Sequence, residues 1–288
     1  LIVKKIFCVL LLSICLIANA ATVKEFFPKG YIDWTTGHIN IMARSQGLSG
    51  KVSFKENRQK AFDEVSTDFF LKASELIMGV RVDNQLLAEN LLSGSEVLSA
   101  EIERIIRQAR IRKLQERLDG TVIIDAYLPL YGSQGVGAAL LSSKMGAPVV
   151  NEPPEETVFF NIPDDGLQSP EGAYYTGLIV DAGMVALKPA LLPKIYDRKG
   201  NLLYGSNHSA GIDFAAENGL ASYVYTLEDA RKLHSRIGGN PLIVKAMDVK
   251  GSFQTDVVLF RRDAARLVKA NRVINFLKQA GVVFIIRK

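Results

Sequence analysis

Apolar positions first recur with period two. Between Tyr31 and Ala43, Ile32 and Trp34 fall on one strand face, and after Thr35-Thr36-Gly37 the isoleucines Ile39 and Ile41 return on one face. This alternation about a glycine turn predicts a two-stranded hairpin. An aromatic beside an aliphatic on a strand face marks core, so Trp34, the only tryptophan in the chain, is expected to anchor packed helices. His38 points away from Ile39 and is expected to be exposed.

The period then lengthens to three and four. Phe62, Val65, Phe69, Ala73, Leu76 and Val80 form one stripe over residues 56–80, which predicts a long amphipathic helix. Leu98, Ile102, Ile105, Ala109 and Leu114 continue the spacing over 85–118, where Asp119-Gly120 stops a second helix. Arg104, Arg107, Arg110, Arg112, Lys113 and Arg117 outnumber Glu101, Glu103 and Glu116 on that stretch. A solvated helical face with i,i+4 pairing is expected there, and an anionic lipid or acidic partner is the alternative.

Thr121–Leu130 reads as a strand that runs into a stretch containing Gly132, Gly135 and Gly137. The G-x-x-G-x-G spacing is not that of a dinucleotide fingerprint, and the room before Ala147 is short for a crossover helix, so a mobile glycine-rich loop is expected. Residues 151–172 hold four of the ten prolines and six acids. They read as an acidic loop or linker.

Downstream, 173–187 reads as one long or bent strand and 193–205 as a hairpin turning at Arg198 to Asn201. Residues 242–249 and 255–260 read as two further strands joined through Lys250-Gly251. Helices are expected at 227–236, capped by Thr226, and at 263–279, ended by Gly281, before a closing buried strand at Val282 to Arg287. The predicted class is α+β rather than a wound parallel sheet: an N-terminal hairpin packed on long helices, followed by a strand-rich C-terminal block with two helices. The expected division is a leader over 1–20, an N-terminal α+β domain over 21–150, the linker over 151–172 and a C-terminal α+β domain over 173–288.

The leader changes the picture of where the protein works. Lys4 and Lys5 precede an apolar run from Ile6 to Ile17, which ends in Ala18-Asn19-Ala20. That is the n-region, short h-region and small-residue cleavage site of an exported protein. The only cysteines, Cys8 and Cys15, lie inside it, so cleavage after Ala20 leaves a chain without thiol chemistry. Ile14 before Cys15 is too large for a lipidation signal, and cleavage near Ala20 is the favoured reading. Loss of Lys4 and Lys5 lowers the formal charge from +5 to +3, too balanced for a nucleic-acid partner.

Catalytic motifs are sparse. His38, His208 and His234 are isolated, with no metal-ligand spacing. Ser206, His208, Ser209 and Asp213 lie close together in "YGSNHSAGID" but outside any nucleophile elbow, and read as a polar loop. Asp33, Asp125, Asp181 and Asp197 sit in or beside strands, as acids do in many α+β proteins. No catalytic, cofactor-binding or metal-ligating residue is assigned, and no cofactor is expected.

"GYIDWTTGHINIMARSQG" resembles the hairpin of exported bacterial proteins related to the flagellar outer-membrane lipoprotein P and its small envelope-lipoprotein relatives, where Y-x-D-W-x-x-G precedes a long helix. Residues 174–205 and 275–288 are similar to later segments of longer members. The resemblance implies a sheet-and-helix envelope module in oligomeric assemblies at the outer membrane or flagellar base, and it brings no catalytic residue. The expected function is therefore a non-enzymatic exported envelope protein that assembles with itself or another envelope protein, with peripheral membrane association open. A periplasmic ligand-binding protein or hydrolase is the alternative.

Overall fold

The computed structural model describes residues 21–47, 53–146, 174–208 and 211–288. The leader, the segment 151–172 and Ser209 lie outside the described residues. The chain is α+β, with one sheet in each half.

In the first half, β1 (Lys24–Phe27), β2 (Gly30–Asp33) and β3 (His38–Arg44) form an antiparallel meander. The predicted hairpin is its second turn. α1 (Phe54–Met78) follows, opened by a capping box in which Ser53 and Glu56 satisfy each other's backbone amides. Ala61, Val65, Phe69, Ala73, Leu76 and Ile77 bury its stripe against the sheet. The helix crosses β2 so closely that a Cβ on Gly30 would stand 2.8 Å from the Leu76 side chain.

The predicted second helix breaks into three elements. α2 (Ala88–Leu92) and α3 (Glu96–Arg107) are helical, but β4 (Arg110–Glu116) is a strand. It pairs antiparallel with β5 (Val122–Pro129), giving the order β1-β2-β3-β5-β4. A bulge between Ile111 and Lys113 puts Ile111 opposite Ala126 and Leu114 opposite Ile124, on the same face. Spacing of three on one face is the helical signature, so the bulge gave a strand the period of a helix. Consequently Arg110, Arg112 and Lys113 belong to a sheet edge and not to a helical face.

The glycine-rich stretch also departs from the expectation of a mobile loop. A tight turn at 131–135 leads straight into α4 (Val136–Gly146). Added Cβ atoms at Gly135 and Gly137 would stand 2.7 Å from the Tyr131 carbonyl and 2.6 Å from the Leu130 carbonyl oxygen. The glycines thus let backbone press on backbone.

In the second half, the expected long strand at 173–187 shortens to β6 (Gly177–Asp181). β7 (Ile195–Tyr196) and β8 (Leu202–Tyr204) form the predicted hairpin, and α5 (Ile212–Asn218) and β9 (Ser222–Val224) follow. Thr226 caps α6 (Leu227–Lys232) as expected, and α7 (His234–Ile237) is a further short turn of helix. β10 (Pro241–Lys250) and β11 (Asp256–Leu259) pair antiparallel. α8 (Arg261–Ile274) ends at Asn275, which adopts a left-handed conformation and leads into a 3-10 turn, and β12 (Val282–Ile285) closes the sheet.

The strand order is β8-β7-β11-β10-β6-β12-β9. Within the α+β class, β10, β6, β12 and β9 run parallel, an arrangement not anticipated from the sequence. β12 is buried at every position, as the unbroken apolar runs of parallel strands require.

The two sheets share one continuous hydrophobic cluster. Trp34 is buried at 2 % exposure and lies against Tyr223 of β9, while Thr35 Oγ1 donates to the Tyr223 carbonyl at 3.0 Å. Arg81 pairs with Glu25 and donates to the Pro189 carbonyl at 2.7 Å. The backbone amides of Leu191 and Leu192 reach the carbonyls of Arg81 and Val82 at 3.0 and 2.9 Å. Trp34 therefore sits in the core, and its aromatic partner comes from the other sheet.

Candidate functional site

The residues singled out as possible chemistry are mostly spent on building turns. Asp33 Oδ1 accepts the amides of Thr35 and Thr36, Asp197 Oδ1 those of Lys199 and Asn201, and Asp181 Oδ1 that of Gly183. Asp125 lies mid-strand between Met42 and Lys113. Ser206 to His208 make a single 3-10 turn after β8, and Asp213 is exposed in the first turn of α5. His234 lies at the start of α7. Among the described residues no group of His, Cys, Asp and Glu could hold a metal ion.

His38 is half-buried rather than exposed. Its ring lies 4.3 Å from that of Tyr127. Burial holds its pKa below the ordinary value, assisted by Arg112 and Arg110 and opposed by Asp33. The glycine-rich turn is not an anion cradle: the amides of Gly132, Gly135 and Gly137 already donate to Ala216, Gly132 and Leu130.

Concave regions lie on the helical side of the first sheet. One, of about 760 Å³, lies between α2, α3 and α4, with Asn90, Ser95, Ser133 and Ser142 on its walls. Glu101, the carboxylate lining it, is paired with Arg104, whose hydrogen bond lowers its pKa. A carboxyl held ionised by a guanidinium is poorly suited to proton transfer near neutral pH.

Another, of about 610 Å³, runs between α1, the end of α3 and β4. Phe69, Phe70, Ile106, Ile111 and Ile124 give it an apolar lining. Ile111 in its lining is 60 % exposed, and Leu114, on the same face of β4, is 47 % exposed. Above it β4 is the end strand of the sheet, and all seven of its residues are exposed. Arg110, Arg112 and Lys113 make this edge basic, while Glu116 is engaged by Arg58 through two hydrogen bonds of 2.7 and 2.9 Å.

This edge contrasts with β9 at the end of the other sheet. There Thr35 Oγ1 donates to the Tyr223 carbonyl, so a turn of the first sheet occupies part of that edge. A long open edge beside an apolar groove offers backbone hydrogen bonds and burial to an incoming strand, which is the requirement for β-augmentation. Sequence reasoning missed this site because the bulge disguised β4.

Comparison with known families finds a match confined to the second half: residues 177–288 match the family described as Treponema pallidum Tp0624, second domain. The matched region begins at β6 and takes in the rest of the second sheet. No curated protein matches the chain.

Proposed function

We propose that this chain is a non-enzymatic exported cell-envelope protein, a structural or assembly component that joins a partner chain by strand addition at β4. The observation that carries the reading is the seven-residue exposed edge lying over an apolar groove. The basic residues on the edge favour an acidic extended segment as the incoming strand. Export is supported by the three-part leader, and an envelope setting by the resemblance of the Tyr31–Ala43 hairpin region to the flagellar outer-membrane lipoprotein P relatives.

The test pairs one variant with two measurements. Ile111→Asp with Leu114→Asp places charge at two exposed apolar positions of β4, so the fold should hold while strand addition fails. Crosslinking in cells should trap the wild type in a larger species and leave the variant alone. Equal crosslinking of a folded variant refutes assembly at β4. Mass spectrometry of the native protein reads export directly, with a mature start at Ala21 expected and an intact leader opposing it.

A further inference from the structure

The face of the first sheet turned away from α1 carries an ordered pattern. Strand register places Phe26, Tyr31, Asn40, Tyr127 and Arg110 in one row across all five strands. The next row runs Met42, Asp125, Lys113, and the one beyond it Arg44, Ile123, Gln115. Phe26 is 74 % and Met42 61 % exposed. The Lys24 ammonium sits 5.0 Å from the centre of the Tyr31 ring, and the Arg112 guanidinium 4.4 Å from that of Tyr127. The cations are thereby laid over aromatic faces, in the plane of the sheet.

Charge on this face has one dominant sign. Lys24, Arg44, Arg110, Arg112 and Lys113 share it with Asp33 and Asp125. Asp33 is buried and bound to two backbone amides, so Asp125 is the accessible acid within the strands, while Asp119 and the α1 residues Asp63, Glu64 and Asp68 stand near Arg44 at one margin. The surface is a five-stranded plane, and the concave regions of about 760 and 610 Å³ lie on the helical side. A broad, flat, cationic plane with two projecting apolar side chains suits an extended anionic surface better than a small molecule.

We infer that this face docks on an anionic bilayer surface, with Phe26 and Met42 entering the headgroup layer and Lys24, Arg44, Arg110, Arg112 and Lys113 meeting lipid phosphates. Tyr31 and Tyr127 present amphipathic rings at the level where such rings partition between water and acyl chain. Among the described residues no helix is long and apolar enough to cross a membrane. The docking face and the β4 edge share Arg110, Arg112 and Lys113, while Lys24, Phe26, Met42 and Arg44 on β1 and β3 belong to the docking face alone.

The test uses the full chain, wild type and variants prepared identically, with vesicles of phosphatidylcholine alone or mixed with phosphatidylglycerol. One variant carries Lys24→Glu and Arg44→Glu, a second Phe26→Ser. All three positions lie on β1 and β3, away from β4. Each surface cation is worth roughly fivefold in partitioning, so the double variant should lose at least about 25-fold on anionic vesicles. Binding should weaken with added salt, and Phe26→Ser should lose affinity at constant charge.

Circular dichroism confirms that the variants are folded. The leader is common to all of them, so differences report on the sheet face. Ile111→Ser with Leu114→Ser, which removes the apolar footing of the β4 edge at constant charge, should bind vesicles as the wild type does, which separates failure here from failure of the assembly reading. Equal partition of all variants, or equal binding to neutral and anionic vesicles, overturns the inference. So does binding to soluble polyglutamate as strong as to anionic vesicles, since the face would then read charge without a bilayer.

Discussion

The indole of Trp34 meets the ring of Tyr223 edge to face, 6.0 Å between centroids and at 72°. Tyr223 in turn stacks on Phe284 at 5.7 Å, carrying the contact into the centre of the second sheet. The Trp34 Nε1 donates to Glu25 at 3.0 Å, so the polar end of the ring is satisfied too. A turn in one sheet is thus fastened to the core of the other.

Replacing Trp34 by Ala should therefore cost about 3 to 5 kcal/mol, the range for a buried large aromatic. The loss should appear in both halves, because the vacated volume lies between them. Denaturant unfolding followed by circular dichroism measures the cost. Tryptophan fluorescence of the wild type provides a second check: a red, readily quenched emission from the folded protein would contradict the burial.

Tyr223 holds a second link. Its hydroxyl accepts from the Ala190 amide at 3.1 Å and donates to the Ala190 carbonyl at 3.0 Å. Burial raises its pKa well above the ordinary value, so the hydroxyl stays protonated and keeps donating. Tyr223→Phe should cost about 1 to 3 kcal/mol, because both Ala190 groups lose their shared partner in a dry site. Unfolding at neutral pH measures it, and a neutral substitution would mean that the Ala190 groups find other partners.

Periodicity made the hairpin, α1, the β7-β8 turn and the closing strand legible, since each keeps one period over its whole length. It failed at β4, where the bulge put Ile111 and Leu114 three apart on one strand face. It also failed at α4, where Gly135 and Gly137 looked like loop residues but serve close backbone packing. The parallel core was hidden because strand direction depends on long-range pairing that local pattern does not encode. The candidate edge was lost together with β4, and the partner of Trp34 had no local signal at all.

Asp256 is fully buried, accepting the Lys194 amide at 3.0 Å and the Asn84 side-chain amide. Burial raises its pKa to about 6, against hydrogen bonds and the Lys194 charge that pull it down, while Asp83 adds to the rise. A carboxyl with a raised folded-state pKa binds its proton more tightly when folded. Its stabilisation is complete below about pH 4 and is lost as pH rises through about 6. Wild type should therefore gain on Asp256→Asn by roughly 2 kcal/mol as pH falls from 7.5 to 4. Melting curves of both proteins over that window decide it, and a constant difference contradicts the raised pKa.

Lys269 in α8 is 7 % exposed, and its ammonium has no hydrogen-bond partner among the described residues. Desolvating a charged donor without compensation opposes folding. Lys269→Met keeps an unbranched stem of similar reach and removes that cost, so stability should rise by about 1 to 3 kcal/mol. Chemical denaturation measures it. A loss of stability would show that the ammonium is satisfied in solution.

The final prediction separates assembly from catalysis. Ser206 and His208 lie in one short turn, where the His208 amide donates to the Gly205 carbonyl, and the acid of the same stretch, Asp213, is exposed. A nucleophile and base need an oriented third group and a sheltered place for substrate, and exposure gives Asp213 neither role. Replacing Ser206 and His208 together by Ala should leave biological function intact in a deletion strain. Ile111→Asp with Leu114→Asp, equally stable and equally exported, should behave as a null because the strand edge loses its apolar footing. The opposite pattern, with a folded alanine protein failing and the β4 variant complementing, would make the "SNHS" turn the working site and end the structural reading.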